Sequence, residues 1–364
     1  MTIGIDARFL GSKTGFDRYL QGLLETLEVN NSDHRYIIFV SKQGDAVYTP
    51  RHPNLKKIVI DYPWYGFKEQ FLGFRFKREK VDLMHIPSWN APWWMPTAFV
   101  VTIHDLILWE KPDPAGTHLP TWFFYLKYWL FKKIFARAVR KSRKILVPSA
   151  YTAQELKNAF PDIAKKIIIT GEAIKDFSRL DGDQKFLEKN NIKLPYLLYV
   201  GSAYPHKNLK RLLLAFTMFR VKHKEYTLVL AGNQDAFYND LKLWAKEKRL
   251  FFGIQFVGGV GDSELATLYR EAALLLYVSL TEGYGLPPLE ALTVGTRSVV
   301  SDRGSLPEVL GNQATYADPL NIQDIQAKIE VGLSLPKIDI KKTPPASRHF
   351  GEIMRASYDN VLKN

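Results

Sequence analysis

TEGYGLPPLEAL, residues 281–292, follows a predicted buried strand at residues 274–278 and leads into a predicted helix at residues 288–294. Strand, glycine loop and helix in this order form the repeating unit of a doubly wound α/β sheet. Gly283 and Gly285 let backbone N–H groups approach a ligand, and the partial positive charge of a helix N-terminus favours an anion there. The stretch therefore predicts an α/β fold with a binding loop at the carboxyl edge of its sheet.

The two carboxylates of this stretch, Glu282 and Glu290, lie eight positions apart, and we expect Glu290 in the first turn of the helix. Ionised carboxylates only accept hydrogen bonds, so both are suited to bind the hydroxyl groups of a ligand. A ligand with a diphosphate and sugar hydroxyls has both features. A loop-capped core helix is the alternative interpretation, because glutamate is common in a first turn.

Strands and helices alternate along the whole chain. Strands are predicted at residues 2–6, 36–40, 57–60, 81–86, 98–103 and 144–147, and again at 196–200, 227–231, 254–257, 274–278 and 297–301. Predicted helices include residues 17–27, 209–221, 237–246 and 262–273. Such alternation favours parallel sheets, and it restarts after Gly171. We therefore expect two domains, 1–175 and 176–345, followed by a last helix at 346–362 within a segment 346–364.

Composition narrows the class of protein. The 364 residues include no cysteine, which excludes disulfides and thiolate metal sites and agrees with a reducing compartment. An acid and a base stand near the N-terminus, before any signal-peptide core, and no apolar run is long enough to cross a membrane. These features favour a cytoplasmic protein, with peripheral association at the inner membrane face as an open alternative.

Four blocks of the sequence resemble a known family. They are residues 6–8 with 14–19 (DAR and TGFDRY), 101–106 (VTIHDL), 199–202 with 205–209 (YVGS and PHKNL), and the block from Glu282 to Glu290. In this order they resemble a retaining glycosyltransferase of family 4, most closely a mannosyltransferase-like member. The resemblance implies a GT-B fold, in which two Rossmann-like domains face each other across a cleft. It also implies an acceptor-binding first domain, a donor-binding second domain and a last helix that crosses back to the first.

The resemblance assigns a role to individual residues. Lys207 would neutralise the donor diphosphate, Glu282 would lie against the donor sugar, and His104 would face that sugar from the other domain. These three are the expected catalytic residues. Glu290 would bind the ribose hydroxyls, and the remaining expected donor-binding residues are Gly15, Ser202, Arg211, Val260, Gly283, Tyr284, Gly285 and Leu286. Judged without the resemblance, Lys207 is also consistent with a solvated lysine, and the His104-Asp105 pair with a structural pair at a strand end.

One position departs from the family pattern. Members often carry an arginine at the position of Ser202 or His206, as a second cation for the diphosphate. This chain has serine and histidine there. Arg211, about one helical turn beyond Lys207, is the expected substitute.

The implied reaction moves a hexose from a nucleoside diphosphate to a hydroxyl with retention of configuration. No candidate is a clear carboxylate nucleophile, which favours front-face attack over a covalent intermediate. We expect no metal and no cofactor, because no Asp, Glu and His cluster and no Mn²⁺-binding Asp-x-Asp signature is recognised. The favoured donor is GDP-mannose, and the acceptor is a glycan or lipid-linked saccharide. A UDP-sugar donor, an epimerase, a phosphorylase and a catalytically silent sugar-nucleotide-binding protein are the alternatives.

The positive charge is concentrated in one segment. The formal net charge is +13, and residues 51–150 hold 17 Lys and Arg against 7 Asp and Glu. Aromatic residues alternate with these cations at 64–78 and 122–144, and Trp93 and Trp94 add another apolar tip. The mixture is suited to an anionic membrane surface, although an aromatic stripe is also typical of a core. Nucleic acid is not an expected partner, since no nucleic-acid-binding motif accompanies the charge.

Overall fold

The computed structural model describes residues 1–12, 14–29, 34–62, 64–110, 112, 120–339 and 347–363. The chain divides into two compact units. The first unit is Met1–Ala173 with Ala346–Asn364, and the second unit is Ile174–Pro345. The first unit ends at Ala173, two residues before the boundary predicted after residue 175. The proline-rich stretch at residues 342–345, where the second expected boundary falls, lies outside the described residues.

The first unit is built on a parallel sheet, whose described strands are β1 (Thr2–Asp6), β2 (Arg35–Val40), β3 (Leu55–Val59), β4 (Leu83–Ile86), β5 (Ala98–Thr102), β6 (Ile145–Val147) and β7 (Ile167–Ile169). Their order across the sheet is β3-β2-β1-β4-β5-β6-β7. Its described helices are α1 (Gly15–Val29), α2 (Lys42–Val47), α3 (Leu72–Arg78), α4 (Ile107–Glu110), α5 (Thr121–Lys141) and α6 (Ala150–Ala159). Every residue of β4 is buried, as expected for a strand covered on both faces.

The second unit repeats this plan. Its elements are α7 (Lys185–Lys189), β8 (Tyr196–Val200), α8 (Leu209–Arg220), β9 (Thr227–Ala231), α9 (Ala236–Glu247), β10 (Ile254–Gly258), α10 (Asp262–Glu271), β11 (Leu274–Tyr277), α11 (Leu286–Thr293), β12 (Ser298–Ser301), α12 (Leu306–Leu310), β13 (Thr315–Ala317) and α13 (Ile322–Ser334). The parallel sheet has the order β10-β9-β8-β11-β12-β13. The α/β prediction of two doubly wound sheets is therefore confirmed.

The last helix, α14 (Ser347–Lys363), belongs to the first unit although it follows the second in sequence. Its apolar residues Phe350, Met354, Tyr358 and Val361 recur every three or four positions and are buried in the same core as β1 and α1. The chain thus returns to its first unit at the C-terminus.

Two strands were not predicted from the sequence. β7 and β13 are three residues each, and they form the last strand on one side of their sheets. Such short segments carry too few residues for a recognisable alternation. A further difference concerns α1, which begins at Gly15 and not at Asp17, because Thr14 Oγ1 accepts the N–H of Asp17 and starts the helix earlier.

Candidate active site

The second sheet has its topological switch point between β8 and β11. The chain runs from β8 outward to β9 and β10, and then crosses to the other side of β8 for β11, β12 and β13. The loops that leave the carboxyl ends of β8 and β11 therefore diverge, and ligands of open α/β sheets bind in the crevice between such loops. Lys207 lies on the first of these loops and Glu282 on the second.

Lys207 and Glu282 form an ion pair at this switch point. Lys207 Nζ is 2.7 Å from Glu282 Oε1 and 3.0 Å from Oε2, and it is 3.1 Å from the hydroxyl of Tyr277. The two side chains are only 13% and 9% exposed. The sequence suggested that both carboxylates are available to a ligand. In the structure, the carboxylate of Glu282 is instead bound to Lys207. A solvated lysine, the alternative interpretation, does not describe this geometry.

A short 3-10 turn, Pro205–Lys207, holds the lysine over the end of β11. Asn208 follows it in the left-handed conformation, at a φ of 62°, and its side-chain amide donates to the carbonyls of Val278 and Pro319 at 3.0 and 2.6 Å. The N–H of Leu280 donates to the carbonyl of His206 at 2.7 Å. The loops after β8 and β11 are thus bonded to one another, which fixes the ion pair. The sequence did not identify Asn208 as a site residue.

The protonation states follow from burial and charge. Burial favours the neutral form of Glu282, but the charge of Lys207 and the hydrogen bond from Lys207 outweigh it, so the pKa of Glu282 is below its ordinary value. Burial, together with the charge of Lys207, lowers the pKa of His206 to about 4. His206 is therefore neutral near pH 7, and it does not supply the second cation that an arginine would supply at this position.

Helix α11 begins earlier than predicted. Gly285 precedes it at a φ of 96°, Leu286 is its first residue, and the two prolines occupy its second and third positions. Glu290 is therefore the fifth residue and lies in the second turn, so its predicted place in the first turn is wrong. Since the prolines have no N–H groups, they add no donors for an anion to those of the predicted loop residues Gly283, Tyr284, Gly285 and Leu286.

Glu290 is buried and oriented from a neighbouring helix. The hydroxyl of Tyr269, on α10, donates to Glu290 Oε2 at 2.9 Å. Glu290 is 2% exposed. A carboxylate held in this way is presented in one orientation, which suits selective recognition of a hydroxyl pair.

A third loop, which follows β12, packs against the backbone of Glu282. Gly304, after β12, has a φ of 68°, and a Cβ there would lie 2.9 Å from the backbone nitrogen of Glu282. Ser305 Oγ donates to the carbonyl of Glu282 at 3.0 Å. The sequence did not indicate that Ser305 holds the glutamate loop.

The other expected donor-binding residues of the second unit lie on loops and helices near this edge. Ser202 follows β8, and its carbonyl accepts the hydroxyl of Tyr199 at 2.7 Å. Val260 follows β10 and packs partly against the core beneath α10. Arg211 donates to Asn208 Oδ1 at 3.0 Å. We expected Arg211 one helical turn beyond Lys207, but α8 begins only at Leu209. Asn208, in the left-handed conformation, separates Lys207 from the helix.

His104 lies in the first unit, after β5. Its Nδ1 is 2.7 Å from Glu172 Oε1, and its Nε2 is 3.2 Å from the carbonyl of Pro87. Burial opposes the charge, but the hydrogen bond to Glu172 and the charges of Glu172 and Asp105 outweigh it, so the pKa of His104 is raised. Both ring nitrogens face acceptors, and both can donate only in the imidazolium form. The sequence did not identify Glu172.

Gly15 is a helix residue and not a loop residue. It is the first residue of α1, and a Cβ at this position would have no heavy atom within 4 Å. The fold therefore does not require glycine here. A glycine without a structural reason is consistent with close approach of a ligand, which is the role the resemblance implies.

One Asp-x-Asp spacing does occur, at Asp181-Gly182-Asp183. Asp183 Oδ1 accepts the N–H of Lys185 at 3.0 Å, so this carboxylate is bound to the backbone at the start of α7. Across the described ranges, no three His, Asp or Glu side chains are grouped as a metal would require. In those same ranges no helix combines the length and the apolarity needed to span a bilayer.

Solved structures share this fold over the whole chain. Sucrose-phosphate synthase from Thermosynechococcus elongatus matches with a TM-score of 0.70 at 17% identity, covering 100% of this chain and 96% of the other. WaaG, a glycosyltransferase involved in lipopolysaccharide biosynthesis, matches with a TM-score of 0.69 at 16% identity, covering 99% and 95%. At these identities the likeness concerns the fold alone.

Two family models match the two units in turn. The model described as Glycosyltransferase Family 4 matches residues 15–170, and the model described as Glycosyl transferases group 1 matches residues 182–343. The chain belongs to the GT-B glycosyltransferases. The resemblance to a family 4 glycosyltransferase, drawn from the four sequence blocks, is confirmed.

This GT-B glycosyltransferase is also similar to two bacterial O-antigen chain mannosyltransferases. It is 30% identical over 254 residues to O-antigen chain mannosyltransferase B of Escherichia coli, covering 68% of this chain. It is 26% identical over 262 residues to O-antigen chain mannosyltransferase RfbU of Salmonella typhimurium, covering 72% of this chain. The matched part spans 64% and 66% of those two relatives, slightly less than two thirds of each.

Proposed function

We propose that this protein is a retaining, metal-independent glycosyltransferase that moves mannose from GDP-mannose to a hydroxyl of a glycan or lipid-linked saccharide. The observation that carries the proposal is the buried Lys207 and Glu282 pair, which lies at a topological switch point beside a glycine loop. This is the location at which a sheet of this type binds nucleotides.

Lys207 would stabilise the leaving group. Negative charge grows on the diphosphate as the glycosidic bond breaks, and a lysine ammonium placed there offsets it. The ammonium carries three N–H donors, and in this structure they face Glu282 and Tyr277. A diphosphate would replace part of these contacts, while the N–H groups of residues 283–286 bind its other oxygens.

The two glutamates would recognise the sugar portions of the donor. Release of Lys207 towards the phosphate leaves the ionised Glu282 as an acceptor for a hydroxyl of the hexose. Glu290, which Tyr269 orients, would accept from the ribose hydroxyls. His104, in the first unit, would contribute a hydrogen bond from Nε2 to a sugar hydroxyl. Nε2 now lies 3.2 Å from the carbonyl of Pro87 and would exchange that contact for the hydroxyl.

Retention is best explained by front-face attack. A covalent intermediate would need a carboxylate nucleophile, but in this proposal Glu282 accepts from a hexose hydroxyl and Glu290, which Tyr269 orients, accepts from the ribose. In front-face attack the leaving phosphate accepts the proton of the acceptor hydroxyl. The new C–O bond forms on the face from which the phosphate departs. The protein then acts by charge stabilisation, without a metal.

The names of the relatives favour mannose as the transferred sugar. Two of them are O-antigen chain mannosyltransferases. A UDP-sugar donor is the alternative. It is suggested by the fold match to HepE of Anabaena, which was solved with UDP and glucose and matches with a TM-score of 0.66 at 15% identity.

The test compares nucleotide binding with turnover. Thermal shift and calorimetry with GDP, UDP and ADP, each with and without EDTA, should show EDTA-insensitive binding of GDP that is weakened in Lys207→Met. The double variant Lys207→Met with Glu282→Gln controls for the buried charge that the single change leaves behind. Stronger binding of UDP than of GDP would transfer the proposal to UDP-sugars.

Turnover distinguishes an enzyme from a silent binding protein. With GDP-mannose and a saccharide acceptor, we expect release of GDP and an α-linked product, and loss of both in Lys207→Met. Binding of GDP without any release of sugar, across a panel of acceptors, would instead indicate a sugar-nucleotide-binding protein. Failure of all three nucleotides to bind at millimolar concentration would contradict the proposal.

A further inference from the structure

The N-terminal half of α5 has an exposed apolar stripe. Five apolar side chains, spaced three, one, three and one residues apart, lie on one side of the helix and are between 46% and 71% exposed. They are Trp122, Tyr125, Leu126, Trp129 and Leu130. None of residues 121–130 is buried, whereas Phe131, Phe135, Ala138 and Val139 of the same helix are. Such spacing normally marks the face of a helix that packs on its own core. In α5 only the C-terminal half has that role.

The helix carries positive charge only. Residues 121–141 contain six cations and no Asp or Glu, namely Lys127, Lys132, Lys133, Arg137, Arg140 and Lys141. Some of the ammonium groups lie over aromatic rings: Lys133 Nζ is 5.6 Å from the centroid of Trp129, and Lys127 Nζ is 4.9 Å from that of Phe123. The apolar stripe is therefore bordered by cations and not by a mixture of charges.

Exposed rings continue beside the helix. The guanidinium of Arg137 lies 5.2 Å from the ring centroid of Trp93. The neighbouring Trp94 stacks on Phe71 with 4.4 Å between the ring centroids, and the centroids of Phe71 and Phe67 are 5.7 Å apart. These four rings are between 40% and 79% exposed. Together with the stripe they form a basic aromatic face, defined here as α5 residues 122–137 with Phe67, Phe71, Trp93 and Trp94.

We propose that the basic aromatic face binds the surface of an anionic phospholipid bilayer, with α5 lying in the plane of the membrane. Trp and Tyr rings favour the headgroup level of a bilayer, and Lys and Arg beside them pair with lipid phosphates. A second copy of this chain is a poor occupant, because it would place the four cations of its own face against the four of the first, Lys127, Lys132, Lys133 and Arg137.

The proposal deepens the proposed function, since this surface would bring the protein to a lipid-linked acceptor. Its test does not depend on turnover. The full chain is sedimented with phosphatidylcholine vesicles that contain about one third phosphatidylglycerol, and with vesicles of phosphatidylcholine alone. We expect binding to the anionic vesicles that weakens as salt is raised, and little binding to the neutral ones.

The variant Trp122→Ser with Trp129→Ser should reduce the partition coefficient roughly tenfold, because two rings no longer enter the interface. The matched control is Phe252→Ser, which removes an 80% exposed ring from the second unit and should bind like the wild type. All of these side chains are exposed, so the melting temperatures should agree. Donor turnover with a soluble acceptor, measured without vesicles, should be unchanged.

Two results would overturn the proposal. One is equal binding of the wild type and the double variant to anionic vesicles. The other is concentration-dependent dimerisation of the wild type that the double variant loses, which would assign the stripe to a second copy of the chain. Neither result would alter the nucleotide-binding test of the proposed function.

Discussion

At the scale of single residues, the charge of His104 depends on Glu172. Both nitrogens of the histidine face acceptors, and Glu172 lies 2.7 Å from one of them. The raised pKa means that the folded protein binds this proton more tightly than the unfolded chain does. The resulting stabilisation is complete below the ordinary histidine pKa of about 6.5 and is lost as the pH rises through the raised value.

Glu172→Gln should therefore lower the pKa of His104, because an amide carries no charge to offset burial of the imidazolium. An NMR titration of the histidine ring protons should place the midpoint at least about one pH unit lower than in the wild type, because a close counter-charge shifts a pKa by about one to three units. The upper limb of the pH profile of transfer should move in the same direction. Glu79→Gln, which removes a surface partner of Arg75 in the same unit, is the control. An unchanged midpoint would show that Glu172 only holds its loop.

The candidate site residues that the sequence can single out are those whose chemistry is local. Lys207 and Glu282 each follow a strand, and the topology alone brings them to one edge of the sheet. Glu172, Asn208, Tyr269 and Ser305 could not be recognised in the same way. Each is an ordinary polar residue, and its role depends on a partner far along the chain. No local pattern encodes such a partner.

At the scale of elements, the glycines of the predicted loops differ in what the fold asks of them. Gly285 ends the glutamate loop at a φ of 96°, and a Cβ there would lie 2.5 Å from a methyl group of Leu306. Gly15 is helical, with open space around it. Gly285→Ala should lower the free energy of unfolding by about 2 kcal/mol or more, through left-handed strain and the clash. Gly15→Ala should leave it unchanged or raise it by up to about 1 kcal/mol.

Chemical denaturation of the two variants provides the measurement. Because Gly15→Ala keeps the fold, any loss of donor binding in that variant would come from a lost ligand contact and would support the predicted role of Gly15. Equal destabilisation by both substitutions would contradict the structural distinction between them. A difference confined to Gly285→Ala would confirm that the loop before α11 requires a left-handed residue.

The long elements were predictable because their apolar pattern extends over several turns or a full buried strand. β1, β8 and β9 have the predicted bounds. α11 is the informative error. Its two prolines favour a helix start, but they occupy the second and third positions and not the first, because Gly285 already turns the chain into the helix. A shift of this kind depends on backbone conformation, which residue types alone do not fix.

At the scale of the whole molecule, the first unit is completed by the last residues of the chain. Tyr358 of α14 is fully buried, and its hydroxyl lies 2.8 Å from Nδ1 of His85, on β4. His85 Nε2 lies 2.8 Å from Thr102 Oγ1 on β5. Burial, with the nearby charge of His104, lowers the pKa of His85 to about 3, so the ring is neutral and has one donor and one acceptor. α14 is thus bonded to the centre of the first sheet.

Tyr358→Phe should weaken the first unit and spare the second. The substitution keeps the ring but leaves a buried nitrogen of His85 without its hydroxyl partner, which costs about 1–2 kcal/mol. This loss of free energy corresponds to a roughly five- to thirtyfold fall in protection, which hydrogen exchange should show in β1, β4 and β5. The strands of the second unit should keep their protection. Tyr316→Phe, which removes a more exposed hydroxyl from the second unit, is the control.

The pattern of protection tests whether the two units unfold independently. A fall confined to β1, β4 and β5 would mean that each unit is a separate cooperative structure, although the chain passes out of the first unit and returns to it. An equal fall in β8 and β11 would mean that the units unfold together. In that case a substitution in α14 would also weaken the Lys207 and Glu282 pair, and the C-terminal helix would contribute to the stability of the candidate donor site.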